Sequence, residues 1–380
     1  MKILILNYEF PPLGGGAGKV AQLQAQILSK HHQVCVLTSH FGSLPTHQTD
    51  DTFEIFRVKS KRKHLHKSNV FEMLSWMRKA SQFCDEYLPK HHYHLVIAHF
   101  TLPGGELAFR LFKKFKIPYW IISHGHDIPW FFPKQMWHYH LATYFRIRQI
   151  CKNAQKTIVL SENLKQNAQK ILGKYGENKI EFLPNAIDEE EFPLIINRKN
   201  DSLKILFIGR LVEQKNPLLM IEALHEVFKN EIPFVCHIIG NGPLFNKIQN
   251  KINKYKLQKH VVLRGWLDKD EIIEATKDFN LFILPSRIEA MSIAILEALF
   301  AGMFVITTKE ADTNSLITEE MGSYFENNNP EHLAAKIMEF NHKYIEQKST
   351  QLETDYHTIR ANFGIAAHSK KLLKLIDSTT

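Results

Sequence analysis

The chain has 380 residues, 44% of them hydrophobic, which suffices for globular folding but exceeds what one ordinary core supports. Its net charge of +9 lies entirely in the first half, since residues 1–190 hold 25 Lys and Arg against 15 Asp and Glu, and the remainder hold 23 against 24. These numbers exclude a single-core domain and leave a basic first half that attracts an anionic lipid surface, nucleic acid or a phosphorylated substrate, or serves solubility alone.

The spacing of the cysteines and the length of the apolar segments indicate in which cellular compartment the protein works. The four cysteines are widely scattered without a C-x-x-C pair, which is typical of reduced structural thiols in a cytoplasmic protein. No apolar run reaches the roughly 18 residues that a transmembrane helix needs. Because Met1 runs directly into a strand-like segment, we expect no signal peptide. We therefore expect a cytoplasmic protein that is at most peripheral to a membrane.

Strands and helices alternate along the first half of the chain. A buried-type strand, "KILILNY", precedes a glycine-rich loop, a helix "KVAQLQAQILSK" and a second strand, "QVCVLTS". Four further apolar strands follow, namely "HLVIAHF", "YWIISHG", "KTIVLS" and "IEFLPNAI". This alternation predicts an α/β fold with a parallel, doubly wound sheet.

The same pattern restarts near "KILFIGR" and continues to the strand "LFILPS". We therefore predict two Rossmann-like βα arrays in tandem. The predicted divisions are an N-terminal domain of residues 1–188, a polar linker of residues 189–202, a second domain of residues 203–355, and a C-terminal helix of residues 356–380 that packs back on the first domain.

Two glutamates follow the strand "LFILPS". Glu289 falls in the loop after that strand, and Glu297 falls inside the helix that begins near Ser292. Open α/β sheets hold phosphorylated ligands where such a loop meets a helix N-terminus. The alternative is a surface helix with solvated carboxylates.

The segment "PSRIEAMSIAILEALFAG" resembles the E-x7-E signature of retaining glycosyltransferases of family 4. The resemblance implies two facing Rossmann-like domains, the GT-B architecture, with the active site in the cleft between them. It also implies that Glu289 faces the donor sugar and that Glu297 binds the nucleotide ribose, with Ser292 and Ile293 beside the donor. Two departures concern loop geometry: Ala290 replaces the usual glycine, and "GMFV" lacks the usual proline.

"FIGRLVEQKNP" places two basic residues, Arg210 and Lys215, just after a strand. A guanidinium and an ammonium together suit a diphosphate, although a solvated basic turn is the alternative. The segment resembles the family's Gly-Arg-Leu-x-x-x-Lys motif. The resemblance implies that both side chains hold the leaving diphosphate.

The loop "PPLGGGAGK" fails the P-loop pattern at Leu13 and Val20, and it fails G-x-G-x-x-G at Lys19. A glycine cluster at a strand–helix turn still permits close backbone approach to a phosphate, and a plain tight turn is the alternative. The loop resembles the family's N-terminal loop, which implies donor contacts at Gly15 and Gly16.

Three further segments resemble family motifs. "ISHGHDIP" matches a strand-end histidine that faces the donor sugar, best at His124, with His126 as the second choice. "IIGNGP" resembles a turn near the nucleotide. "LRGWLDKDEI" resembles the loop that contacts the base. The donor-binding residues implied by the last two segments are Gly240, Gly242, Trp266 and Leu267.

The triplet Asp268-Lys269-Asp270 resembles the metal-binding D-x-D of another glycosyltransferase class. Glu271 stands three residues after Asp268, which favours a helix capping box instead. We therefore predict no essential metal and no other cofactor.

The resemblance implies retaining transfer of a sugar from a nucleotide diphosphate sugar to an acceptor hydroxyl, and we predict that this serves synthesis of a cell-envelope polysaccharide or a lipid-linked glycan. A sugar-nucleotide epimerase or hydrolase of the same fold and a non-catalytic nucleotide-sugar-binding protein remain alternatives. The predicted partners are the donor and a sugar or lipid-linked acceptor, with no nucleic acid.

Peripheral contact with an anionic membrane is predicted for the first half, from its charge and from two segments. These are the basic run Arg57–Ser68 and an aromatic–basic stretch, Pro129–Lys152, whose aromatic residues could instead pack in the core. The stretch holds Trp130, Phe131, Phe132, Trp137, Tyr139, Arg146 and Arg148.

Overall fold

The fold consists of two compact α/β units, which confirms the predicted fold class. The first unit comprises Met1–Pro184 with Ser369–Thr380, and the second comprises Asn185–His368. The computed structural model describes residues 1–50, 52–65, 68–131, 137–176, 178–196, 202–347 and 353–379.

The first unit is built on an eight-stranded sheet. Its strands are β1 (Lys2–Leu6), β2 (Gln33–Ser39), β3 (His47–Asp50), β4 (Phe53–Val58), β5 (Leu95–His99), β6 (Tyr119–Ile122), β7 (Lys156–Val159) and β8 (Ile180–Phe182). The spatial order is β3-β4-β2-β1-β5-β6-β7-β8, and all neighbours are parallel except β3 and β4. The strand order reverses between β1 and β5, so the loops that follow these two strands run in opposite directions from their carboxyl ends.

Strands β2, β3 and β4 follow one another without a helix between them, and the sequence did not predict β3 and β4. Helices separate the other strands, as predicted. They are α1 (Gly16–Ser29), α2 (Val70–Tyr87), α3 (Glu106–Phe115), α4 (Trp137–Asn153) and α5 (Glu162–Leu172). Short 3₁₀ turns cover Leu88–Lys90 and Gly173–Tyr175, and an irregular turn with extended backbone at Leu102 covers Phe100–Gly105. The residues of β5 and β6 are fully buried, which is typical of central strands in a parallel sheet that helices cover.

The second unit has six parallel strands and carries the glutamate motif. The strands are β9 (Leu203–Ile208), β10 (Phe234–Ile239), β11 (Val261–Gly265), β12 (Leu281–Leu284), β13 (Phe304–Thr307) and β14 (Gly322–Tyr324). Their order, β11-β10-β9-β12-β13-β14, is that of the Rossmann fold. Because the order reverses between β9 and β12, a ligand crevice is expected beyond their carboxyl ends.

The helices of the second unit are α6 (Pro217–Lys229), α7 (Phe245–Lys254), α8 (Lys269–Asp278), α9 (Ile293–Phe300), α10 (Pro330–Phe340), α11 (Glu353–Phe363) and the start of α12 (Ile365–Asp377). A π-helical turn, Asn341–Glu346, follows α10. Within the residues that the structure describes, no helix is both long enough and apolar enough to cross a membrane.

The C-terminal segment differs from the prediction of one helix over residues 356–380. Two helices, α11 and α12, meet at Gly364, where a Cβ atom would lie 2.4 Å from a carboxylate oxygen of Glu189. Arg360 donates hydrogen bonds to the carbonyls of Glu189 and Phe192 at 2.6 Å. These contacts place residues 189–196 of the predicted linker within the second unit, while residues 197–201 lie outside the described part.

Helices α3 and α4 are joined by a buried carboxylate. Glu106 is 6% exposed and accepts hydrogen bonds from Arg146 at 2.6 and 2.7 Å and from Arg110 at 2.9 Å. Burial alone raises the pKa of a carboxyl group, but the hydrogen bonds and charges of the two arginines outweigh it and lower the pKa of Glu106. Both guanidiniums remain partly solvated, so they tolerate loss of the carboxylate better than buried cations do.

We expect Glu106→Gln to lower the free energy of unfolding at pH 7 by about 1–2 kcal/mol, the scale of hydrogen bonds to a charged group. Because the folded pKa lies below the unfolded one, this stabilisation is present at neutral pH and is lost as pH falls through the folded pKa. Urea unfolding from pH 7 downward measures both effects. Glu339→Gln, at an exposed pair with Lys336, is the control and should change stability by less than about 0.5 kcal/mol. A pH-independent difference would contradict the assignment.

Candidate functional site

Two loops meet at the point where the second sheet reverses its strand order. One follows β9 and the other follows β12. The backbone N–H of Arg287 donates to the carbonyl of Gln214 at 2.8 Å, and the side-chain amide of Gln214 donates to the carbonyl of Ile288 at 2.9 Å. Gln214 is only 6% exposed, so these bonds fix the two loops against each other. Sequence reasoning missed Gln214, because a glutamine next to a lysine in a loop suggests a solvated turn and not a buried residue.

The predicted residues Lys215 and Glu289 come together across these loops. The Lys215 ammonium lies 2.9 Å from Oε1 of Glu289, and their side chains are 16% and 9% exposed. The contact is a charge pair and not an aligned hydrogen bond, because no hydrogen bond to this oxygen forms within the described chain. The oxygen therefore keeps the capacity to accept a hydrogen bond from a ligand hydroxyl.

Arg210 differs from Lys215 in its surroundings. It stands two residues beyond β9, and its side chain is exposed. Both cations nevertheless belong to one loop at the carboxyl end of β9, where an anionic ligand is expected. An exposed guanidinium carries its full charge and five donors to an arriving diphosphate.

Helix α9 positions the remaining residues of the glutamate motif. Ser292 caps the helix by accepting a hydrogen bond from the backbone of Ile295 at 3.4 Å, and Ile293 is the first helical residue. Glu297 is 6% exposed in a helix whose other residues are apolar. A carboxylate is expensive to bury, and a buried one therefore needs polar or charged partners.

The glycines of the "IIGNGP" turn permit close packing of backbone on backbone. A Cβ atom at Gly240 would lie 1.9 Å from the carbonyl oxygen of Gly209, and one at Gly242 would lie 2.4 Å from that of Leu211. Gly240 also has a φ of +137°, which favours glycine. These two predicted donor-binding residues thus have a structural role, because they support the loop that carries Arg210.

The base-contacting prediction falls just beyond β11. Trp266 is 50% exposed, and Leu267 is half-buried. An exposed indole ring of this kind can stack on a flat ligand.

The capping-box prediction is confirmed. Asp268 accepts a hydrogen bond from the backbone of Glu271 at 2.9 Å, and the Glu271 carboxylate accepts one from the backbone of Asp268 at 2.9 Å. Across the described ranges, no three His, Cys, Asp or Glu side chains are grouped as metal ligands.

In the first unit, the glycine-rich loop lies at the carboxyl end of β1. Gly15 caps α1 and Gly16 begins it, and both are exposed. Nothing lies within 4 Å of the position that a Cβ atom of Gly15 would take, so the backbone there is open to a ligand. The loop is held from behind, since the N–H of Gly14 donates to the carbonyl of Leu65 at 2.9 Å.

Two arginines of the basic run are buried, which corrects the expectation that they face a membrane. Arg62 donates to the carbonyls of Tyr8, His64 and Leu65 at 3.0–3.1 Å, and Arg57 donates to that of Pro45 at 3.3 Å. The residues are 9% and 5% exposed respectively. Their guanidiniums therefore support loops, while His66 and Lys67 of the run lie outside the described residues.

His124 follows β6 and is half-buried. Its Nε2 lies 3.0 Å from Nδ1 of His99, the last residue of β5. Burial lowers the pKa of both imidazoles, so both are neutral at pH 7. Asp127 fixes the loop by accepting hydrogen bonds from the backbone of His124 at 2.9 Å and from that of Thr101 at 2.8 Å.

His126, the second choice, is half-buried, and its carbonyl accepts a hydrogen bond from Nε2 of His140 at 2.9 Å. Sequence reasoning missed His99. A signal was available, because "HLVIAHF" and "YWIISHG" each bring a histidine to the end of a strand, and such ends meet at one edge of a parallel sheet.

Comparison with known proteins identifies the class as two-domain glycosyltransferases. The family model "Glycosyltransferase Family 4" matches residues 14–191, and the model "Glycosyl transferases group 1" matches residues 188–354. These two matches together span residues 14–354, and the chain belongs to the group 1 and family 4 glycosyltransferases.

Two curated relatives illustrate the family. The chain is 26% identical to a UDP-Gal:alpha-D-GlcNAc-diphosphoundecaprenol alpha-1,3-galactosyltransferase of Escherichia coli, over 85% of this chain and 84% of that protein. It is 24% identical to the putative teichuronic acid biosynthesis glycosyltransferase TuaC of Bacillus subtilis, over 73% of this chain and 69% of that protein.

Solved structures of this class share the fold. Sucrose-phosphate synthase from Thermosynechococcus elongatus superposes with a TM-score of 0.83 at 18% identity, covering 99% of this chain and 98% of that one. HepE of Anabaena, in complex with UDP and glucose, superposes with a TM-score of 0.76 at 16% identity over the full length of both chains. The GT-B fold class is therefore confirmed.

The capping box generates a stability prediction. Asp268→Asn keeps one hydrogen-bond acceptor at the helix N-terminus, so the free energy of unfolding should fall by about 1 kcal/mol or less. Glu271→Gln keeps the reciprocal bond and should have a similarly small effect. Denaturant titration measures both. A loss of more than about 3 kcal/mol would contradict a purely local capping role.

Proposed function

We propose that this glycosyltransferase moves a sugar, with retention at the anomeric carbon, from a nucleotide diphosphate sugar to an acceptor hydroxyl. The single observation that carries the proposal is the Lys215–Glu289 pair at the strand-order reversal of the second sheet. It combines a cation for a phosphate with a shielded carboxylate oxygen that can still accept a sugar hydroxyl.

In the proposed mechanism the protein contributes electrostatics and not a covalent nucleophile. Arg210 and Lys215 stabilise the charge that develops on the departing diphosphate. The acceptor hydroxyl attacks from the face that the diphosphate leaves, and a phosphate oxygen of the leaving group takes the hydroxyl proton. Glu289 orients the sugar, Glu297 binds the ribose, and His124 donates a hydrogen bond to the sugar.

We propose that the remaining contacts with the nucleotide sugar are made by exposed backbone and by an exposed aromatic ring. The open backbone at Gly15 and Gly16 suits a phosphate oxygen, and the ring of Trp266 suits a nucleotide base. We propose no essential metal and no cofactor, since the arginine and lysine supply the positive charge that a metal supplies elsewhere.

The names of the relatives favour a lipid-linked acceptor and a hexose donor. One is named for transfer of galactose to a diphosphoundecaprenol-linked acceptor, and the other is named for biosynthesis of teichuronic acid. We therefore propose synthesis of a cell-envelope polysaccharide or lipid-linked glycan at the inner face of a membrane.

The proposal is tested first by donor screening. UDP-galactose, UDP-glucose, UDP-N-acetylglucosamine and GDP-mannose are compared for thermal stabilisation, and each stabilising donor is then assayed with and without undecaprenyl-diphosphate-linked N-acetylglucosamine. Acceptor-dependent transfer with retained configuration, in EDTA, is the expected result. Donor breakdown to free sugar without acceptor would indicate the epimerase or hydrolase alternative, and binding without turnover would indicate a binding protein.

In the same assay, Arg210→Ala and Lys215→Ala should each reduce turnover by about 10²-fold or more, the scale for loss of one preorganised charge-stabilising group. Arg210→Ala should leave stability unchanged because the side chain is exposed. Lys215→Ala should also lower stability, because Glu289 stays shielded without its cation.

Adding Glu289→Gln to Lys215→Ala should restore stability but not turnover, which separates the two effects. Lys229→Ala, at an exposed pair with Glu226, is the matched control and should keep normal turnover. Near-normal turnover of Arg210→Ala or Lys215→Ala at saturating donor would refute the diphosphate assignment.

The first unit presents two exposed apolar surfaces that suit a membrane. On α4, Trp137, Leu141 and Phe145 recur every four residues and are 48%, 63% and 80% exposed. On α2, Phe71 is 81% exposed, with Val70 and Leu74 beside it. Apolar side chains this exposed are rarely left to water on a helix face.

Basic residues accompany the surface of α2. Lys59, Lys61 and Lys63 are exposed, and the backbone of Lys61 donates to the hydroxyl of Ser75 on α2 at 3.1 Å. Each lysine near an anionic lipid surface contributes about 1 kcal/mol. The combination of exposed apolar and basic groups favours anionic membrane as the occupant of this face.

We expect the wild-type protein to sediment with phosphatidylglycerol vesicles at low salt and to be released at high salt. Changing Lys59, Lys61 and Lys63 together to Gln should reduce the bound fraction severalfold at low salt, and Phe71→Ser with Phe145→Ser should reduce it further. Donor-induced thermal stabilisation should remain unchanged. The matched control changes Lys229, Lys247 and Lys259 of the second unit to Gln. Equal loss in both triple variants, or no wild-type binding, would reject this surface.

A further inference from the structure

The pairing of His99 with His124 carries an inference that rests on the proposed function of His124. His99 is completely buried at the end of β5, and β6, which precedes His124, is its neighbouring strand. Their rings are nearly parallel, 17° apart, with Nδ1 of His99 3.0 Å from Nε2 of His124. Since both imidazoles are neutral, one of these nitrogens must donate the proton and the other must accept it.

The surroundings of Nε2 of His99 show whether His99 or His124 donates the proton in this hydrogen bond. Within the described part of the chain, Nε2 of His99 is buried and makes no hydrogen bond. If Nε2 carried the proton, a buried N–H group would be unpaired, which is rare in folded proteins. If Nδ1 carries it, the proton lies in the hydrogen bond to His124, and only a lone pair at Nε2 is unused.

The surroundings keep this geometry fixed. The ring of Phe100 packs against that of His124 at a tilt of 48°, with ring centroids 4.7 Å apart. The backbone of Phe100 has a φ of +65°, which is unusual for a bulky residue. A Cβ atom at Gly104 would lie 2.4 Å from the carbonyl oxygen of His99, so the chain packs tightly behind the histidine. Asp127 anchors the backbone of His124 from the other side. A strained residue retained beside a buried polar pair is typical of a functional site.

We propose that His99 is a positioning residue that holds His124 in one tautomer, with Nε2 accepting from His99 and Nδ1–H left as the hydrogen-bond donor. His124 then presents a neutral donor and not a base. The chemical partner that fits a neutral N–H donor is an oxygen acceptor, such as a hydroxyl of the donor sugar. His99 itself touches no substrate.

Histidine ¹⁵N NMR of the full chain at pH 7 tests the tautomer directly, with signals assigned by single His→Gln variants. We expect His124 to be protonated on Nδ1. His140 is an internal control of the opposite kind, because its Nε2 lies 2.9 Å from the His126 carbonyl oxygen and must donate to it. Protonation of His124 on Nε2 in the wild-type protein would overturn the proposal.

Two variants of His99 extend the test. His99→Leu removes the donor, so the His124 signals should shift towards an average of both tautomers while those of His140 stay unchanged. His99→Asn keeps an N–H near the position of Nδ1 and should restore the wild-type signals. Unchanged His124 signals in a folded leucine variant would also overturn the proposal.

Sugar transfer provides a second readout. The rate should fall about 10-fold in His99→Leu and recover in His99→Asn, the scale for losing the outer partner of a functional histidine. An unchanged rate in the leucine variant would remove His99 from the reaction. If no donor is transferred by the wild-type protein, the proposed function fails, whereas the NMR result still decides the tautomer.

Discussion

The reversal of strand order between β9 and β12 is the constraint on which the second unit depends. After β9 and after β12 the chain crosses over to opposite sides of the reversal point. The loops that follow these two strands therefore diverge at the carboxyl edge of the sheet, and the gap between them can admit a ligand. The chain fills this position with a charge pair, Lys215 and Glu289, and holds the two loops together through Gln214. The sheet topology therefore fixes where the site lies, and the side chains fix its chemistry.

The first unit follows the same principle with different chemistry. Its order reverses between β1 and β5, and the glycine-rich loop, His99 and His124 all stand at the carboxyl ends of β1, β5 and β6. Where the second unit presents charge, the first presents open backbone and neutral imidazole. Charged side chains and open backbone both suit a phosphate, whereas a neutral imidazole suits an uncharged hydroxyl group.

The sequence predicted what is local and missed what is not. Strand ends and the capping box at Asp268 are set by short segments, so pattern and spacing sufficed. The burial of Arg62 depends on the carbonyl of Tyr8, 54 positions away, and His99 meets His124 only because β5 and β6 pair. After the break at Gly364, the backbone N–H of Ile365 likewise donates to a distant carboxylate, Glu189, at 2.9 Å. No periodicity within one segment reports such contacts.

The glycine turn after β10 limits how this scaffold can diversify. Gly240 and Gly242 have no room for any side chain, so the turn that supports the Arg210 loop is closed to substitution. The neighbouring strand β11 leads into Trp266, which is half-exposed. A substitution there disturbs little packing and should change stability only slightly. Variation among descendants of such a chain is therefore expected at the surface around Trp266, and the glycine turn behind the Arg210 loop is expected to stay constant.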